Sequence, residues 1–209
     1  MDLSLYAVVD EELLAGRDPA EVALSLAANG ATVVQYRAKR LASREFLKRA
    51  RAMRDALTGS GIPLIINDRL DIALLSGADG VHVGQDDVPV TDARILLGSR
   101  AVIGASVSTA AEALKAEDDG ADYVGAGAVF PTGTKSDAPL MGLEGLRQVR
   151  ASVRLPVVAI GGLTRRNAAE TLAAGADGLA FISELMRAED PGAAARELRA
   201  IIDAVRREH

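Results

Sequence analysis

Short segments rich in β-branched residues recur along the whole chain and alternate with longer, alanine-rich amphipathic segments. The helical period is clear over residues 43–58, where Phe46, Ala50, Met53 and Leu57 repeat at steps of three and four. Strands that alternate with helices predict βαβ units and a parallel sheet. The eight strand candidates are Leu5–Val9, Thr32–Tyr36, Pro63–Ile66, Gly80–Val83, Ala101–Ala105, Tyr123–Ala126, Val157–Ile160 and Leu179–Ile182.

A Gly-Ala dipeptide followed by Thr or Asp occurs four times, at residues 30–32, 77–79, 120–122 and 175–177, each time between a helix and a strand. Glycine suits the left-handed position just past a helix end. The four copies precede every second strand candidate, which indicates a regular eightfold array. We therefore predict one domain over residues 1–209, a single (β/α)₈ barrel of the α/β class. A doubly wound open sheet would produce the same alternation and remains the alternative.

The composition excludes several kinds of site. The chain has no cysteine and two histidines, so disulfides, thiolate metal sites, a thiol nucleophile and a multi-histidine metal centre are ruled out. Any metal must be held by carboxylates, as a hard cation such as Mg²⁺ is. A net charge of −5 and 3% aromatic residues argue against nucleic-acid partners.

The chain also lacks signals for membranes or export. No apolar run approaches the roughly 18 residues of a membrane span. The start, Met1-Asp2-Leu3-Ser4, has neither the basic nor the apolar region of a signal peptide. We therefore expect a cytoplasmic protein with small-molecule partners, and the sequence leaves open whether it is a monomer or a homo-oligomer.

Polar residues follow the strand candidates at the end where barrels carry their chemistry. Gln35, Arg37 and Lys39 are spaced by two, which places them on one face of an extended segment. The polar and glycine residues after the later strands are Asn67, Asp68, Arg69, Asp87, Ser106, Ser108, Thr132, Gly133, Thr134, Lys135, Gly161, Gly162 and Ser183.

These residues predict two phosphate-bearing ligands. Asp68 and Asp87 would repel each other alone, but two carboxylates can hold Mg²⁺ together with a polyphosphate. Arg37, Lys39, Arg69 and Lys135 would balance the remaining charge, against the negative sign of the whole chain. Separately, glycines after strand 7 and a helix start after strand 8 form the usual monophosphate site of barrels.

Each motif also has a purely structural interpretation. Asp68 could cap the next helix, Asp86-Asp87 before Pro89 could be a turn, and Gly161-Gly162 could be a plain turn. Residues 35–39 could be a solvated strand end, and 132–135 a surface loop. His82 lies inside a strand candidate, where a hydrogen-bonded core histidine is favoured over a catalytic one.

Six motifs, in this order and spacing, resemble the thiamine-phosphate synthase family over nearly the whole chain. They are Gln35-Tyr36-Arg37-Ala38-Lys39, Asn67-Asp68-Arg69, Gly80-Val81-His82-Val83-Gly84-Gln85-Asp86-Asp87, Thr132-Gly133-Thr134-Lys135, Ala159-Ile160-Gly161-Gly162 and Ile182-Ser183. The resemblance implies a (β/α)₈ barrel that joins 4-amino-2-methyl-5-hydroxymethylpyrimidine diphosphate to 4-methyl-5-(2-hydroxyethyl)thiazole phosphate, or its carboxylate. The products would be thiamine monophosphate and pyrophosphate.

The resemblance also implies residue roles. Mg²⁺ would be bound by Asp68 and Asp87. The catalytic residues would be Arg37, Lys39, Ser106 and Lys135, which neutralise and hold the leaving pyrophosphate. The substrate-binding residues would be Gln35, Tyr36, Arg37, Ala38, Lys39, Asn67, Ser106 and Lys135 for the pyrimidine diphosphate, and Thr132, Gly133, Thr134, Gly162, Ile182 and Ser183 for the thiazole phosphate.

The chain departs from the family pattern at a few positions. The family commonly has Leu and Glu at the positions of Tyr36 and Ala38, and often His at that of Ser108. A related thiazole tautomerase shares the barrel but lacks the residues equivalent to Lys39 and Asp87, both of which this chain keeps. A barrel that only binds thiamine precursors is a third alternative, which turnover would distinguish.

Overall fold

The structure, a computed structural model, describes residues 1–133 and 139–208. Eight parallel strands form a closed barrel in chain order, with β8 paired to β1. The strands are β1 Leu5–Asp10, β2 Val33–Arg37, β3 Leu64–Asn67, β4 Gly80–Val83, β5 Val102–Val107, β6 Tyr123–Ala126, β7 Val157–Ile160 and β8 Gly178–Phe181. The barrel prediction is confirmed, and the open-sheet alternative is wrong because the β8–β1 pairing leaves no free edge.

Helices surround the barrel, and a single 3₁₀ turn, Glu11–Leu13, follows β1. The helices are α1 Pro19–Ala28, α2 Ser43–Leu57, α3 Leu70–Ser76, α4 Val90–Leu97, α5 Ala110–Asp118, α6 Gly142–Ser152, α7 Ala168–Ala173, α8 Ser183–Met186 and α9 Pro191–Glu208. Across the two described stretches, none of these helices has the length and apolar character to cross a bilayer.

The strands are buried on both faces, so the core has two parts. The larger part lies between the strands and the helices and includes Tyr36 and Phe46. The smaller part fills the barrel itself and is made of Leu3, Tyr6, Val8, Val33, Ile65, Tyr123, Val158 and Ala180. Alternate residues of each strand therefore point either outward to the helices or inward to the barrel axis.

The repeated Gly-Ala motif closes the amino-terminal face of the barrel. Its four glycines have φ values of 105°, 69°, 89° and 103°, the predicted left-handed conformation. The side chain of the residue after each Gly-Ala accepts a hydrogen bond from a backbone N–H near the start of the preceding odd-numbered strand. Asp79 accepts from Leu64 N at 2.8 Å and Asp177 from Val157 N at 2.8 Å. Asp122 and Thr32 do the same for β5 and β1. The repeat therefore fixes strand position at one face and leaves the opposite face for chemistry.

Candidate active site

A cavity opens at the carboxyl ends of the strands and extends into the barrel. Its apolar and glycine wall comes from β1 and from the strands β6 to β8. Its polar lining is made of Tyr6, Gln35, Arg37, Asn67, His82, Ser106, Ser108, Tyr123 and Thr132. Six different strands, β1 to β6, contribute side chains to this lining, so the convergence predicted from residues after successive strands is present.

Strand β2 contributes two of the predicted residues to the cavity. Gln35 and Arg37 are buried and line the cavity. Tyr36 and Ala38 lie on the opposite face and pack in the outer core. The Tyr36 hydroxyl donates to Glu11 Oε2 at 2.5 Å, away from the cavity. The side chains at 36 and 38 are therefore directed away from the predicted ligand, and the substitution of Ala38 for the family's Glu lies outside the cavity.

Arg37 is held by a carboxylate that the sequence analysis missed. Arg37 Nη1 contacts Asp10 Oδ2 at 2.5 Å, and Asp10 is 1% exposed. The second oxygen of Asp10 accepts from Glu12 N at 3.0 Å. Among the described residues, Arg37 Nε is buried with no hydrogen-bond partner. The signal that could have revealed Asp10 is its position as a polar residue at the carboxyl end of β1, the end where barrels carry their active sites.

Two carboxylates and a lysine meet just past the carboxyl ends of β2, β3 and β4, which we call the rim of the cavity, although none of the three is among its lining residues. Lys39 Nζ contacts Asp68 Oδ2. Burial and the neighbouring Asp87 carboxylate together raise the pKa of Asp68, although Lys39 opposes the rise. Asp87 is itself oriented by Gly84 N, which donates to Asp87 Oδ2 at 2.7 Å. The predicted pairing of Asp68 and Asp87 is thus present in the structure.

The structural alternative for residues 67–69 is wrong, because Asp68 does not cap the next helix. Arg69 occupies the N-cap position of α3. Asp68 has a left-handed backbone with a φ of 63°, and its carboxylate contacts Lys39. The expectation that Arg69 joins the cations of the site is also wrong. Its guanidinium pairs with Asp71 at 2.6 Å and donates to Ser43 Oγ at 3.0 Å, on the exposed side.

A chain of hydrogen bonds crosses the interior of the barrel and joins two of the predicted ligand residues. Gln35 Nε2 lies 2.8 Å from Tyr6 Oη, which lies 2.7 Å from Tyr123 Oη. Tyr123 Oη lies 2.9 Å from His82 Nδ1, and His82 Nε2 lies 2.9 Å from Ser106 Oγ. His82 is a hydrogen-bonded buried histidine, as expected, yet it also lines the cavity. The two tyrosines were missed because aromatic residues in strands usually indicate core.

A second, smaller cavity adjoins the first after β7 and β8. It is lined by Thr132, Gly161, Gly162, Leu163, Ala180, Ile182 and Ser183. The glycine pair is required here because the loop after β6 packs directly on it. Val129 N donates to Ile160 O and Phe130 N to Gly161 O, each at 3.0 Å. A Cβ at Gly162 would lie 2.6 Å from Pro131 O. Ser183 begins α8, as predicted.

The remaining predicted residues are placed as follows. Asn67 ends β3, lines the first cavity and pairs in register with His82. Ser108 lines the same cavity and donates from Oγ to Gly127 O at 3.2 Å. Gly133 borders neither cavity. Thr134 and Lys135 lie outside the described residues, so their predicted contacts have no structural counterpart here.

The fold and the site together define a (β/α)₈ barrel whose carboxyl-end cavities combine fixed cations, paired carboxylates and a glycine-lined pocket. The chain belongs to the thiamine monophosphate synthase family, whose model matches residues 5–185. A thiamine-phosphate synthase of Methanocella arvoryzae is 51% identical over 207 residues, covering 99% of this chain and 98% of that protein. One of Chloroflexus aurantiacus is 49% identical over 203 residues, covering 97% and 94%.

A solved structure gives the same result. Thiamine phosphate pyrophosphorylase from Pyrococcus furiosus superposes with a TM-score of 0.89 at 42% identity, covering 98% of this chain and 97% of that one. The resemblance drawn from the six motifs is therefore confirmed, and these relatives lend no support to the tautomerase alternative. Membership of this family makes the chain a transferase.

Proposed function

We propose that the chain couples the pyrimidine diphosphate to the thiazole phosphate, giving thiamine monophosphate and pyrophosphate. The observation that carries this proposal is the pair of adjoining cavities, which share Thr132, Gly161, Ala180 and Ile182. Two ligands bound in them would be neighbours, as a bond-forming reaction requires. The proposal treats residues 1–209 as one catalytic domain.

The pyrimidine diphosphate fits the larger cavity with its charged end at the rim. Arg37 and Lys39 supply positive charge there, and Arg37 is kept in place by Asp10. The uncharged ring would then lie in the barrel interior beside Gln35 and Tyr6. Asn67 and Ser106 add neutral hydrogen-bonding groups between the two ends, and the family resemblance adds Lys135 on the leaving group.

Asp68 and Asp87 fit a hard divalent cation. Their oxygens are the ligands that Mg²⁺ prefers, and one or two carboxylates plus substrate phosphate oxygens are its common environment in proteins. No cluster of three or more acidic or histidine ligands occurs in residues 1–133 and 139–208, so the phosphate would have to complete the coordination. When bound, the ion would neutralise charge on the diphosphate. Burial, followed by the neighbouring Asp87 carboxylate, raises the pKa of Asp68, and a bound cation would act against both causes.

The thiazole phosphate fits the smaller cavity. We propose that backbone N–H groups around Gly162 and at the start of α8, together with Thr132 and Ser183, bind its phosphate. Ile182 lines both cavities and would contact the ring. The resemblance adds Gly133 and Thr134 to this set.

The reaction then needs positioning and charge stabilisation more than proton transfer. The thiazole nitrogen donates its electron pair to the pyrimidine CH₂ as the C–O bond to the diphosphate breaks, and that bond's electron pair leaves with pyrophosphate. The aminopyrimidine ring can delocalise positive charge that develops on the CH₂. Arg37, Lys39 and Ser106 would hold the departing oxygens. No group need accept a proton in the bond-forming step.

The test is to incubate the purified protein with both phosphates and Mg²⁺ and to measure pyrophosphate and thiamine phosphate together. We expect equimolar products, none without the thiazole phosphate and a large loss with a chelator. Asp87→Ala should reduce the rate by at least about 100-fold, whereas Asp86→Ala, an exposed neighbour, should not. Absence of both products in the presence of Mg²⁺ would refute the proposed function.

A further inference from the structure

The hydrogen-bonded residues that join Gln35 to Ser106 line the inner part of the cavity and are mostly buried. Tyr6 and Tyr123 are each 1% exposed, and His82 is 9% exposed. Burial raises the pKa of both tyrosine hydroxyls, so each keeps its proton. Each hydroxyl therefore has one hydrogen to donate, and the direction of one bond restricts the next.

Two directions are open to the chain when the imidazole is neutral. If Gln35 donates from Nε2 to Tyr6, then Tyr6 donates to Tyr123 and Tyr123 donates to His82 Nδ1. His82 then carries its hydrogen on Nε2 and donates to Ser106 Oγ. In the reverse direction, Ser106 donates to His82 Nε2, and each bond after it is inverted, ending at Gln35 Oε1.

We propose that these five residues set their hydrogen-bond direction as a unit and so couple the specificity of the two ends of the cavity. In the first direction Gln35 presents its carbonyl oxygen to a ligand, and Ser106 has a hydrogen to donate. In the reverse direction Gln35 presents its NH₂, and Ser106 can only accept. A ligand must therefore carry a donor at one end and an acceptor at the other.

This inference rests on the proposed function, because an aminopyrimidine diphosphate matches the first direction at both ends. Its exocyclic amino group would donate to Gln35 Oε1, and one of its phosphate oxygens would accept the single hydroxyl hydrogen of Ser106. A 4-oxo analogue would require the NH₂ of Gln35. That requirement reverses the direction of the hydrogen bonds and removes the donor at Ser106. The analogue is therefore mismatched at Ser106 as well as at Gln35.

The surrounding structure holds the chain in place. Gln85 Nε2 donates to Ser106 O at 2.6 Å, which anchors the far end. Gly104 on β5 leaves the space that the chain occupies, since a Cβ there would lie 2.1 Å from the Tyr123 ring and 2.5 Å from His82 Nδ1. Among the described residues, the Tyr123 hydroxyl bonds to Tyr6 and His82 and to no cation at the rim. We therefore assign it as a positioning residue.

The test compares kcat/KM for the 4-amino and 4-oxo pyrimidine diphosphates with excess thiazole phosphate at pH 8. We expect the wild-type protein to prefer the amino substrate by at least about 100-fold, since a buried polar group left unpaired discriminates strongly. Tyr123→Phe interrupts the chain, so the two ends become independent and the preference should fall at least about 10-fold. Thr171→Val removes another buried hydroxyl, bonded to Asn167 O at 2.7 Å, and should keep the wild-type preference.

A second measurement reads the direction itself. The protein has two histidines, so ¹⁵N-histidine NMR gives the signals of two imidazole rings. A His209→Gln variant assigns them. With the amino substrate bound to the protein in the presence of a chelator at pH 8, we expect His82 to be the Nε2–H tautomer. The Nδ1–H tautomer or a doubly protonated ring would overturn the proposal.

The two proposals fail in different ways. If the wild-type protein forms no thiamine phosphate from the amino substrate, the proposed function fails. If it does so but Tyr123→Phe keeps the wild-type preference, the coupling is wrong and the function stands. If Tyr123→Phe does not fold, the NMR tautomer of the wild-type protein decides the question.

Discussion

Removing the Asp10 carboxylate should destabilise the protein through the cation it leaves behind. Asp10 and Arg37 are 1% and 8% exposed, and their charged atoms lie 2.5 Å apart. Breaking a buried ion pair by deleting one partner costs about 3–5 kcal/mol, because the other charge stays buried and unpaired. Asp10 also accepts from Glu12 N, a capping bond worth about 1 kcal/mol. Asp10→Ala should therefore lower the free energy of unfolding by about 4–6 kcal/mol.

The assay is urea unfolding followed by far-UV circular dichroism, since the chain has no tryptophan. Asp18→Ala is the matched control, because Asp18 is an exposed residue that caps α1 by accepting from Ala20 N and Glu21 N. It should cost about 1 kcal/mol. The difference between the two variants isolates the ion pair from the loss of a cap.

A double-mutant cycle then tests the cause. Arg37→Met removes the buried charge and keeps much of the side-chain volume. If the unpaired guanidinium is the source of the loss, the double variant should be at least about 2 kcal/mol more stable than the sum of the single effects predicts. Equal losses for Asp10→Ala and Asp18→Ala, with a coupling energy within about 0.5 kcal/mol of zero, would refute the reasoning.

Three further predictions concern the stability and the kinetics of single variants. The pKa of Asp68 is raised in the fold, so its contribution to stability is present below its ordinary pKa of about 3.9 and is lost as pH rises through the raised value. Asp68→Asn should therefore stabilise the metal-free protein at pH 7 but not near pH 4, and Mg²⁺ with pyrophosphate should raise the melting temperature of the wild type only. Gly162→Ala should raise KM for the thiazole phosphate, because its Cβ would meet Pro131 O at 2.6 Å in a left-handed backbone; an unchanged KM would count against the assignment of the smaller cavity. Asp177→Ala removes the acceptor for Val157 N and the partner of Arg150, so it should cost about 1–3 kcal/mol while kcat stays unchanged, and a loss of kcat would contradict its purely structural role.

The barrel could be predicted because its signals are local. The bounds of β4, β6 and β7 match the prediction, since glycine or proline and β-branched residues mark them clearly. Four strands run past their predicted ends: β1 includes Asp10, β2 includes Arg37, β3 includes Asn67, and β5 continues to Val107. Polar residues at these positions suggested loops, but Asp10 and Ser106 have buried partners inside the barrel end. Those partners come from other strands, so no local pattern could supply them.

The interior of the barrel was harder to predict for a different reason. Both faces of every strand are buried, so hydropathy does not distinguish the inward face from the outward one. Tyr6 and Tyr36 look equivalent in the sequence, yet Tyr6 lines the cavity and Tyr36 packs against α2. Parity along the strand separates them only once one inward residue, such as Gln35, is known.

The shape of the site depends on its glycines, which have no side chain, as much as on its polar residues. A Cβ at Gly125 would lie 2.9 Å from the His82 ring, and one at Gly127 would lie 2.3 Å from Ile160 O. These glycines, which the polar motifs do not single out, give His82 its place and let the loop after β6 approach β7. Glycine inside a strand indicates such close approach, but the sequence does not say which residue approaches. Polar residues therefore predicted the kind of site, while the shape of its cavities required the three-dimensional structure.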